Sequence, residues 1–264
     1  MTDAGRALAG RVAVVTGGNR GIGRGIALAM AKAGAAVAIS ARNMESLEGV
    51  AREVRALGAE CIATACDVAD EASVAAMGTT VMKRFGRVDV MVANAGVAGP
   101  TRPMQDLSLA EWRECIAIDL DGVFLTFRCF IPTMIEAGTG SLIAISSITG
   151  KRPLAGRAPY AAAKMAVIGL CRTLAADLGP QGVRVNAVCP GAVAGPRIED
   201  VVRNQARIRG ISEGEALRQF TDPTPLRRLV EPDEVGRTCV FLASDAASGI
   251  TGEDINVSAG LVMY

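Results

Sequence analysis

Short apolar runs alternate along this chain with longer segments whose apolar residues recur at helical spacing. Several of the runs are continuously apolar, which is typical of strands covered by helices on both faces of a sheet. Strands are predicted at residues 11–16, 35–40, 60–65, 88–93, 141–146, 183–188 and 254–258. This alternation predicts an α/β fold, a doubly wound parallel sheet of about seven strands, with ligands bound at the carboxyl ends of the strands.

The composition favours one domain over residues 1–264, since no linker, repeat or low-complexity stretch divides the chain. The net charge of +1 and an aromatic content of 3% provide neither the charge nor the stacking groups for nucleic acid, so we expect no nucleic-acid partner. Histidine is absent from the sequence, which excludes a histidine-based triad and a histidine-rich metal site. We therefore predict no metal.

The location of the protein is predicted from its first residues and its cysteines. The first ten residues lack the apolar core of a signal peptide. Residues 25–40 are apolar, but Lys32 and Gly34 interrupt them, which favours a buried helix and strand over a membrane span. Seven cysteines without a C-x-x-C pair indicate reduced thiols. We expect a cytoplasmic protein without a membrane partner.

Glycines crowd the segment after the first predicted strand, at positions 17, 18, 21, 23 and 25. Glycine lets the backbone turn tightly and approach a ligand closely, and the following helix offers unpaired N–H groups to a phosphate. The spacing is G-x-x-x-G-x-G, from Gly17 to Gly23, and differs from the usual G-x-G-x-x-G pattern. A tight turn without a ligand is the alternative interpretation.

The stretch "TGGNRGIG" resembles the cofactor loop of the short-chain dehydrogenase/reductase family. Six more stretches fit that family in the same order: "CDV" (66–68), "NAG" (94–96), "ISS" (145–147), "YAAAK" (160–164), "VNAVCPG" (185–191) and "TGEDINVSAG" (251–260). The resemblance covers residues 11–260 and implies a Rossmann-type sheet, a nicotinamide cofactor and hydride transfer at a carbonyl or alcohol carbon. The predicted cofactor-binding residues are Gly17, Asn19, Arg20, Gly21, Ile22, Gly23, Arg42, Asp67, Val68, Asn94, Ala95, Gly96, Tyr160, Lys164, Pro190, Gly191 and Val193.

The choice between NADP(H) and NAD(H) depends on the end of the second strand. Ala41 stands where NAD-binding relatives often carry an acidic residue, and Arg42 follows it. Together with Arg20 in the glycine loop, Arg42 suits a 2′-phosphate, which needs positive donors. NADP(H) is favoured and NAD(H) stays possible, because both arginines are also explained as ordinary solvated charges.

Tyr160 and Lys164 are four residues apart and lie on one face of a predicted helix. A free phenol is a poor base at neutral pH, but a nearby ammonium favours the phenolate. Tyr160 then exchanges a proton with the substrate oxygen. The resemblance implies that Lys164 also binds the nicotinamide ribose and that Ser147 hydrogen-bonds the substrate oxygen. A surface pair on a helix and a strand-end turn are the alternatives.

Asp119 departs from the family pattern, in which an asparagine on the fourth helix helps hold a water connected to the lysine. Aspartate accepts the same hydrogen bonds but brings a negative charge. We therefore predict that Asp119 keeps the relay role, stabilises the Lys164 ammonium and moves the pH profile towards alkaline values. In the alternative, Asp119 is solvated and Lys164 relays protons without it.

Residues 195–228 form the longest predicted stretch without a strand, and the resemblance implies a mobile lid over the substrate. Two sets of apolar residues extend beyond one face of their helices and predict burial against another subunit. The family resemblance implies a tetramer or dimer built through these helices, and we expect a homotetramer. These sets are Phe124, Phe127 and Phe130 on one helix and Val167, Ile168 and Leu170 on the other.

The predicted function is hydride transfer between NADP(H) and a carbonyl or secondary alcohol, such as a 3-oxoacyl thioester or another ketone. An NAD-dependent dehydrogenase of sugars, polyols or cyclic alcohols is the alternative within the same class. A regulator that senses the dinucleotide without turnover is the alternative from another class. It is disfavoured because the chain keeps both Tyr160 and Lys164.

Overall fold

A computed structural model describes residues 6–152 and 154–264, apart from the side chains of residues 197, 204, 205 and 208. Its centre is one seven-stranded sheet with the order β3-β2-β1-β4-β5-β6-β7, in which every pair is parallel. The strands are β1 (Val12–Thr16), β2 (Ala36–Ala41), β3 (Cys61–Ala65), β4 (Val90–Ala93), β5 (Gly140–Ile145), β6 (Val183–Pro190) and β7 (Asp254–Val257). All seven predicted strands are confirmed, within two residues at each end.

The helices lie between the strands along the chain. They are α1 (Gly21–Lys32), α2 (Met44–Ala56), α3 (Glu71–Phe85), α4 (Leu109–Ile116), α5 (Gly122–Ala137), α6 (Ile148–Lys151), α7 (Ala158–Leu178), α8 (Pro196–Arg209), α9 (Glu213–Thr221) and α10 (Pro232–Ala243). A π-helical turn, Ala117–Asp121, joins α4 to α5. Within the described residues, no helix is both long enough and apolar enough to cross a membrane.

Each face of the sheet has its own core, because neighbouring residues of a strand point to opposite faces. In β1, Ala13 and Val15 belong to the core shared with α1, α2 and α10, whereas Val14 belongs to the core shared with α3, α5 and α7. Burial on both faces explains why these strands are continuously apolar in sequence.

The sheet order reverses between β1 and β4. From β1 the chain proceeds outward through β2 to β3, and from β4 it proceeds the other way to β7. In open parallel sheets, the crevice at this reversal is where ligands bind, at the carboxyl ends of the strands. The glycine loop follows β1, and the "NAG" stretch follows β4, so both border this crevice.

The helices α5 and α7 bury most of their apolar residues in the chain's own core. Phe127, Phe130, Val167 and Ile168 are at most 3% exposed there. The prediction that these four side chains are buried against a second subunit is therefore wrong. Periodicity alone does not distinguish burial in the chain's own core from burial against a partner. Phe124 remains 46% exposed.

Residues 195–228, the segment expected to form the lid, contain α8 and α9. A cavity of about 510 Å³ lies between the two helices and the loop after β6. Aliphatic side chains, among them Ile198, Val202 and Leu217, line this cavity together with Glu199 and Glu213.

Candidate active site

The glycine loop closes on itself in a way that only glycine permits. Gly17 and Gly21 have φ angles of +64° and +51°, in the left-handed region. A Cβ atom on Gly23 would lie 2.1 Å from the carbonyl oxygen of Gly17. Gly21 begins α1, and Arg20 before it makes no side-chain capping bond. The first turn also lacks an acidic residue, so its N–H groups suit an anion such as a pyrophosphate.

Hydrogen bonds that involve the side chains of Thr16 and Asn94 connect the carboxyl ends of β1 and β4. Thr16 Oγ1 accepts hydrogen bonds from the backbone N–H groups of Asn94 and Ala95, each at 3.1 Å. Asn94 Nδ2 donates to the carbonyl oxygens of Thr16 at 2.8 Å and Gly17 at 3.2 Å. Sequence reasoning missed Thr16, although a buried hydroxyl at the carboxyl end of a strand is a signal for it.

The residues predicted around the adenosine part of the cofactor are mostly accessible. Arg20 and Arg42 are exposed, and neither forms an ion pair within the described part of the chain. Asn19 Nδ2 donates to Ser46 Oγ at 3.0 Å. Ile22 is half-buried beside the core of that sheet face.

Asp67 and Val68 follow β3. Asp67 Oδ1 accepts from the backbone N–H of Ala69 at 3.1 Å. Val68 is buried, and it lies so close to Gly122 that a Cβ there would be 2.8 Å from a Val68 methyl carbon. Asp67 therefore shapes the turn after β3, and it is half-buried.

The loop after β6 lies at the carboxyl ends of the strands. Pro190 ends the strand, and the N–H of Gly191 donates to the carbonyl oxygen of Val257 at 2.9 Å. Val193 pairs with Val230 in a short parallel bridge. These contacts bring the loop after β6 to the base of the cavity between α8 and α9.

Lys164 is a buried cation, 4% exposed on α7. Its Nζ donates to the carbonyl oxygen of Ile145, at the end of β5, over 3.0 Å. The same Nζ lies 3.0 Å from Oδ1 of Asp119, whose side chain is 0% exposed. The structure thus brings Asp119 and Lys164 together as a buried ion pair, and Asp119 does so from the π-helical turn. Such turns often occur at functional sites.

Tyr160 lies in the first turn of α7 and is half-buried. The ring centroid of Tyr160 is 5.6 Å from Lys164 Nζ and 4.7 Å from Cζ of Arg157. Arg157 also donates to the carbonyl oxygen of Ala98 at 2.6 Å. Two cations therefore flank this phenol. Sequence reasoning missed Arg157, three residues before the tyrosine.

Ser147 and Ser146 have separate roles at the end of β5. Ser147 is the N-cap of α6, and its Oγ accepts from the N–H of Thr149 at 3.1 Å. Ser146 Oγ donates to the carbonyl oxygen of Lys164 at 2.7 Å, and so ties α7 to the strand end. The side chains of the two serines therefore point in different directions.

Gly96 covers the Asp119–Lys164 pair from the loop after β4. A Cβ on Gly96 would lie 2.6 Å from Asp119 Oδ1 and 3.4 Å from Lys164 Nζ. Behind Asp119, the thiol of Cys115 donates to Oδ2 at 3.5 Å. Sequence reasoning missed Cys115, and nothing in its local pattern marks it.

The described residues contain no group of three or more cysteines, aspartates and glutamates placed to hold a metal ion. What they bring together is a half-buried phenol, a buried ammonium and a buried carboxylate. These groups lie near the carboxyl ends of the strands, on the same side of the sheet as the glycine loop. Such a set can move a proton to or from an oxygen beside a bound dinucleotide.

The chain matches known proteins over nearly its whole length. A family model described as enoyl-(acyl carrier protein) reductase matches residues 17–262. The chain is 41% identical over 256 residues to a cis-4-hydroxycyclohexanecarboxylate dehydrogenase of Sinomonas cyclohexanicum, covering 97% of this chain and 98% of that protein. It is 38% identical over 260 residues to a 3-oxoacyl-[acyl-carrier-protein] reductase of a Synechocystis species, covering 98% and 99%.

Solved structures with the same fold hold either nicotinamide cofactor. An actinorhodin polyketide ketoreductase with NADPH superposes with a TM-score of 0.92 at 35% identity, covering 96% of this chain and 98% of that one. An NAD⁺-bound xylitol dehydrogenase gives a TM-score of 0.90 at 31% identity, covering 96% and 99%. The fold therefore accommodates a nicotinamide dinucleotide of either kind.

Proposed function

Since the chain belongs to the short-chain dehydrogenase/reductase family, we propose that it transfers a hydride between NADP(H) and a ketone or secondary alcohol. The observation that carries this proposal is Lys164, whose buried Nζ lies between the Ile145 carbonyl and Asp119 and 5.6 Å from the Tyr160 ring centroid. A helix-surface pair, the alternative for Tyr160 and Lys164, does not account for a lysine that is 4% exposed.

The residues of the crevice fit a dinucleotide. The first-turn N–H groups of α1 are open to a pyrophosphate, and Gly17, Gly21 and Gly23 let the backbone approach it. When bound, the nicotinamide supplies or accepts the hydride. Lys164 is expected to bind the ribose next to that ring, with Asn94 and Gly96 forming the adjacent wall.

Tyr160 performs the proton transfer in this proposal. Its hydroxyl donates a proton to the carbonyl oxygen in reduction, and its phenolate accepts one from the alcohol in oxidation. The neighbouring Lys164 and Arg157 favour the phenolate through their positive charge. Ser147 donates a hydrogen bond to the substrate oxygen and stabilises the charge that develops there.

NADP(H) is the preferred cofactor in this proposal. Ala41 leaves the end of β2 without a carboxylate, and Arg20 and Arg42 are exposed beside it. A guanidinium binds a 2′-phosphate through a fork of donors, whereas NAD(H) lacks that group. Titration with NADPH and NADH tests the preference, and Arg42→Gln is expected to weaken NADPH binding while leaving NADH binding unchanged.

A dehydrogenase of cyclic alcohols is the second candidate. The relative at 41% identity carries the name of a dehydrogenase of a hydroxycyclohexanecarboxylate. The lid cavity, lined by Ile198, Val202 and Leu217, offers an aliphatic surface of the kind that a saturated ring contacts. Oxidation assays with cis-4-hydroxycyclohexanecarboxylate and with polyols, in the presence of NADP⁺ or NAD⁺, compare this candidate with reduction of 3-oxoacyl thioesters.

The function is tested by the loss of NADPH absorbance with a panel of 3-oxoacyl thioesters, sugars and cyclic ketones. Tyr160→Phe is expected to lower kcat by about 10²-fold or more, since general acid–base catalysis contributes about 10²- to 10⁴-fold. Tyr264→Phe is the matched control, because it alters the other tyrosine, which is 74% exposed. Cofactor binding without turnover on any substrate supports the dinucleotide sensor instead.

Location and assembly complete the proposal. The seven cysteines are all free thiols, six of them with pKa values raised to about 11 or 12, mainly by burial, which agrees with a reducing, cytoplasmic location. We expect a homotetramer with α5 and α7 at a subunit contact, where Phe124 and Met165 are 46% and 51% exposed. Light scattering after gel filtration tests the number of subunits.

A further inference from the structure

We propose that Cys115 is a positioning residue, whose thiol holds the Asp119 carboxylate towards Lys164. The inference rests on the proposed function for its catalytic consequence, but the contact itself stands on geometry. Cys115 Sγ lies 3.5 Å from Asp119 Oδ2, with the two residues 1% and 0% exposed. A buried charge requires such partners, because water is not available to solvate it.

The two oxygens of Asp119 have different surroundings. Oδ1 lies 3.0 Å from Lys164 Nζ, but among the described residues it accepts no well-aligned hydrogen bond. Oδ2 accepts the thiol of Cys115. The thiol is thus the hydrogen-bond donor that fixes the direction of the carboxylate, while Lys164 contributes mainly charge.

The thiol can act only as a donor here. Burial, followed by the charge of Asp119 and the hydrogen bond to it, raises the pKa of Cys115 to about 12. The sulfur therefore keeps its proton throughout the physiological range of pH. A thiolate in this position would lie close to the Asp119 carboxylate, and the two negative charges would repel each other.

The loop after β4 is shaped to cover both members of this pair. A Cβ on Gly96 would lie 2.6 Å from Asp119 Oδ1, and a Cβ on Gly99 would lie 2.9 Å from Cys115 Sγ. Gly99 also has a φ of +63°, which favours glycine. The loop can thus lie directly on the thiol and the carboxylate.

The charged groups around the pair come from three elements. Lys164, Tyr160 and Arg157 face it from α7 and the residue before it. Glu111 and Glu114 share α4 with Cys115 and line a cavity of about 310 Å³ on its outer side, together with Arg102 from the loop after β4. Of these groups, only Lys164 pairs directly with Asp119.

The consequence concerns the proton chemistry of Tyr160. The negative charge of Asp119 cancels part of the field that Lys164 exerts on the phenol. Without the thiol, the Asp119 carboxylate turns away from Lys164, and this restores that field. Removing the thiol is therefore expected to favour the phenolate and to move the pH profile towards acid.

The first test is the pH dependence of kcat/KM for alcohol oxidation. Cys115→Ala is expected to shift the profile to acid by less than about one pH unit, the scale of one hydrogen bond. Cys115→Ser, which keeps a donor, is expected to retain the natural profile. In the Asp119→Asn background, Cys115→Ala is expected to cause no additional shift. Cys239→Ala is the matched control, since that thiol is equally buried in the other core.

The second test needs no substrate and separates this inference from the proposed function. The S–H stretching band of Cys115 is identified in infrared spectra as the difference between the natural chain and Cys115→Ala. We expect its frequency to be lowered by the carboxylate and to rise in Asp119→Asn. A band that Asp119→Asn leaves in place overturns the inference, whether or not the chain turns over a ketone. So does a pH profile that moves in Asp119→Asn but not in Cys115→Ala.

Discussion

At the scale of single residues, Asp119 is the clearest departure from the family pattern, and its charge has a predictable effect. Asp119→Asn removes a buried negative charge 3.0 Å from Lys164 Nζ. The uncancelled field of Lys164 then favours the Tyr160 phenolate, so the pH profile of alcohol oxidation is expected to move towards acid. The measurement is kcat/KM between about pH 6 and pH 11.

The control for this substitution is Asp121→Asn, which removes an exposed carboxylate from the same turn. Solvent screens a charge there, and we expect its profile to match that of the natural chain. Identical profiles for Asp119→Asn and the natural chain would contradict the electrostatic role of Asp119.

Gly96 provides a second prediction at this scale, since its missing side chain leaves room for the ion pair. Gly96→Ala places a Cβ 2.6 Å from Asp119 Oδ1, so the loop or the carboxylate has to move. Crowding of this kind costs about 1–3 kcal/mol. We expect a lower Tm in thermal unfolding, together with a loss of kcat/KM that exceeds any loss of cofactor affinity.

Gly49→Ala is the matched control for Gly96→Ala. Gly49 lies inside α2, and a Cβ there would have no atom within 4 Å. Alanine stabilises a helix interior by about 0.5–1 kcal/mol relative to glycine, so this control is expected to raise Tm. Equal effects of the two substitutions would show that the space beside Asp119 is not restrictive.

At the scale of elements, an ion pair connects the end of the lid segment to α10. Both terminal nitrogens of Arg228 lie 2.7 Å from the carboxylate oxygens of Glu234. The hydrogen bonds from Arg228, followed by the bond from the N–H of Glu231, lower the pKa of Glu234 to about 2. The stability contributed by Glu234 is thus present above the unfolded pKa of about 4.5 and lost as pH falls towards 2.

Glu234→Gln tests this contribution, because glutamine keeps the shape of the side chain without titrating. Between about pH 4.5 and pH 2, the Tm of the natural chain is expected to fall more steeply than that of the variant. Parallel curves would show that the ion pair between Arg228 and Glu234 does not contribute to stability. High salt is expected to reduce the difference, since the pair is partly exposed.

The elements of the sheet were predictable from sequence, whereas the π-helical turn was not. Continuous apolar runs specify strands that are covered on both faces, and asparagine is a common N-cap residue, as Asn43 is for α2, where it accepts from the N–H of Ser46. The turn Ala117–Asp121 has no such local signal. It brings Asp119 to Lys164, 45 positions later, and that partner is known only once the chain has folded.

At the scale of the whole molecule, the candidate site is assembled by topology. Its parts come from residues 17–23, 94–96, 119, 147–164 and 190–193, which are dispersed through the chain. The parallel sheet brings them together because the carboxyl ends of β1, β4, β5 and β6 all lie on the same side of the sheet. Each motif could be recognised in the sequence because it is a short local stretch. Contacts such as that of Cys115 with Asp119 depend on packing between elements and could not be predicted.

Cofactor binding is expected to stabilise the whole chain, because the crevice joins both halves of the sheet. A ligand at 100 times its Kd stabilises the native state by about 2.7 kcal/mol, or roughly 5–10 °C in Tm for a domain of this size. We expect NADPH to raise Tm more than NADH at equal concentration. Arg42→Gln is expected to reduce the difference, since it removes a positive charge exposed beside Ala41. Tyr160→Phe is expected to keep the shift while losing turnover, and the absence of a shift with either cofactor would contradict dinucleotide binding at this crevice.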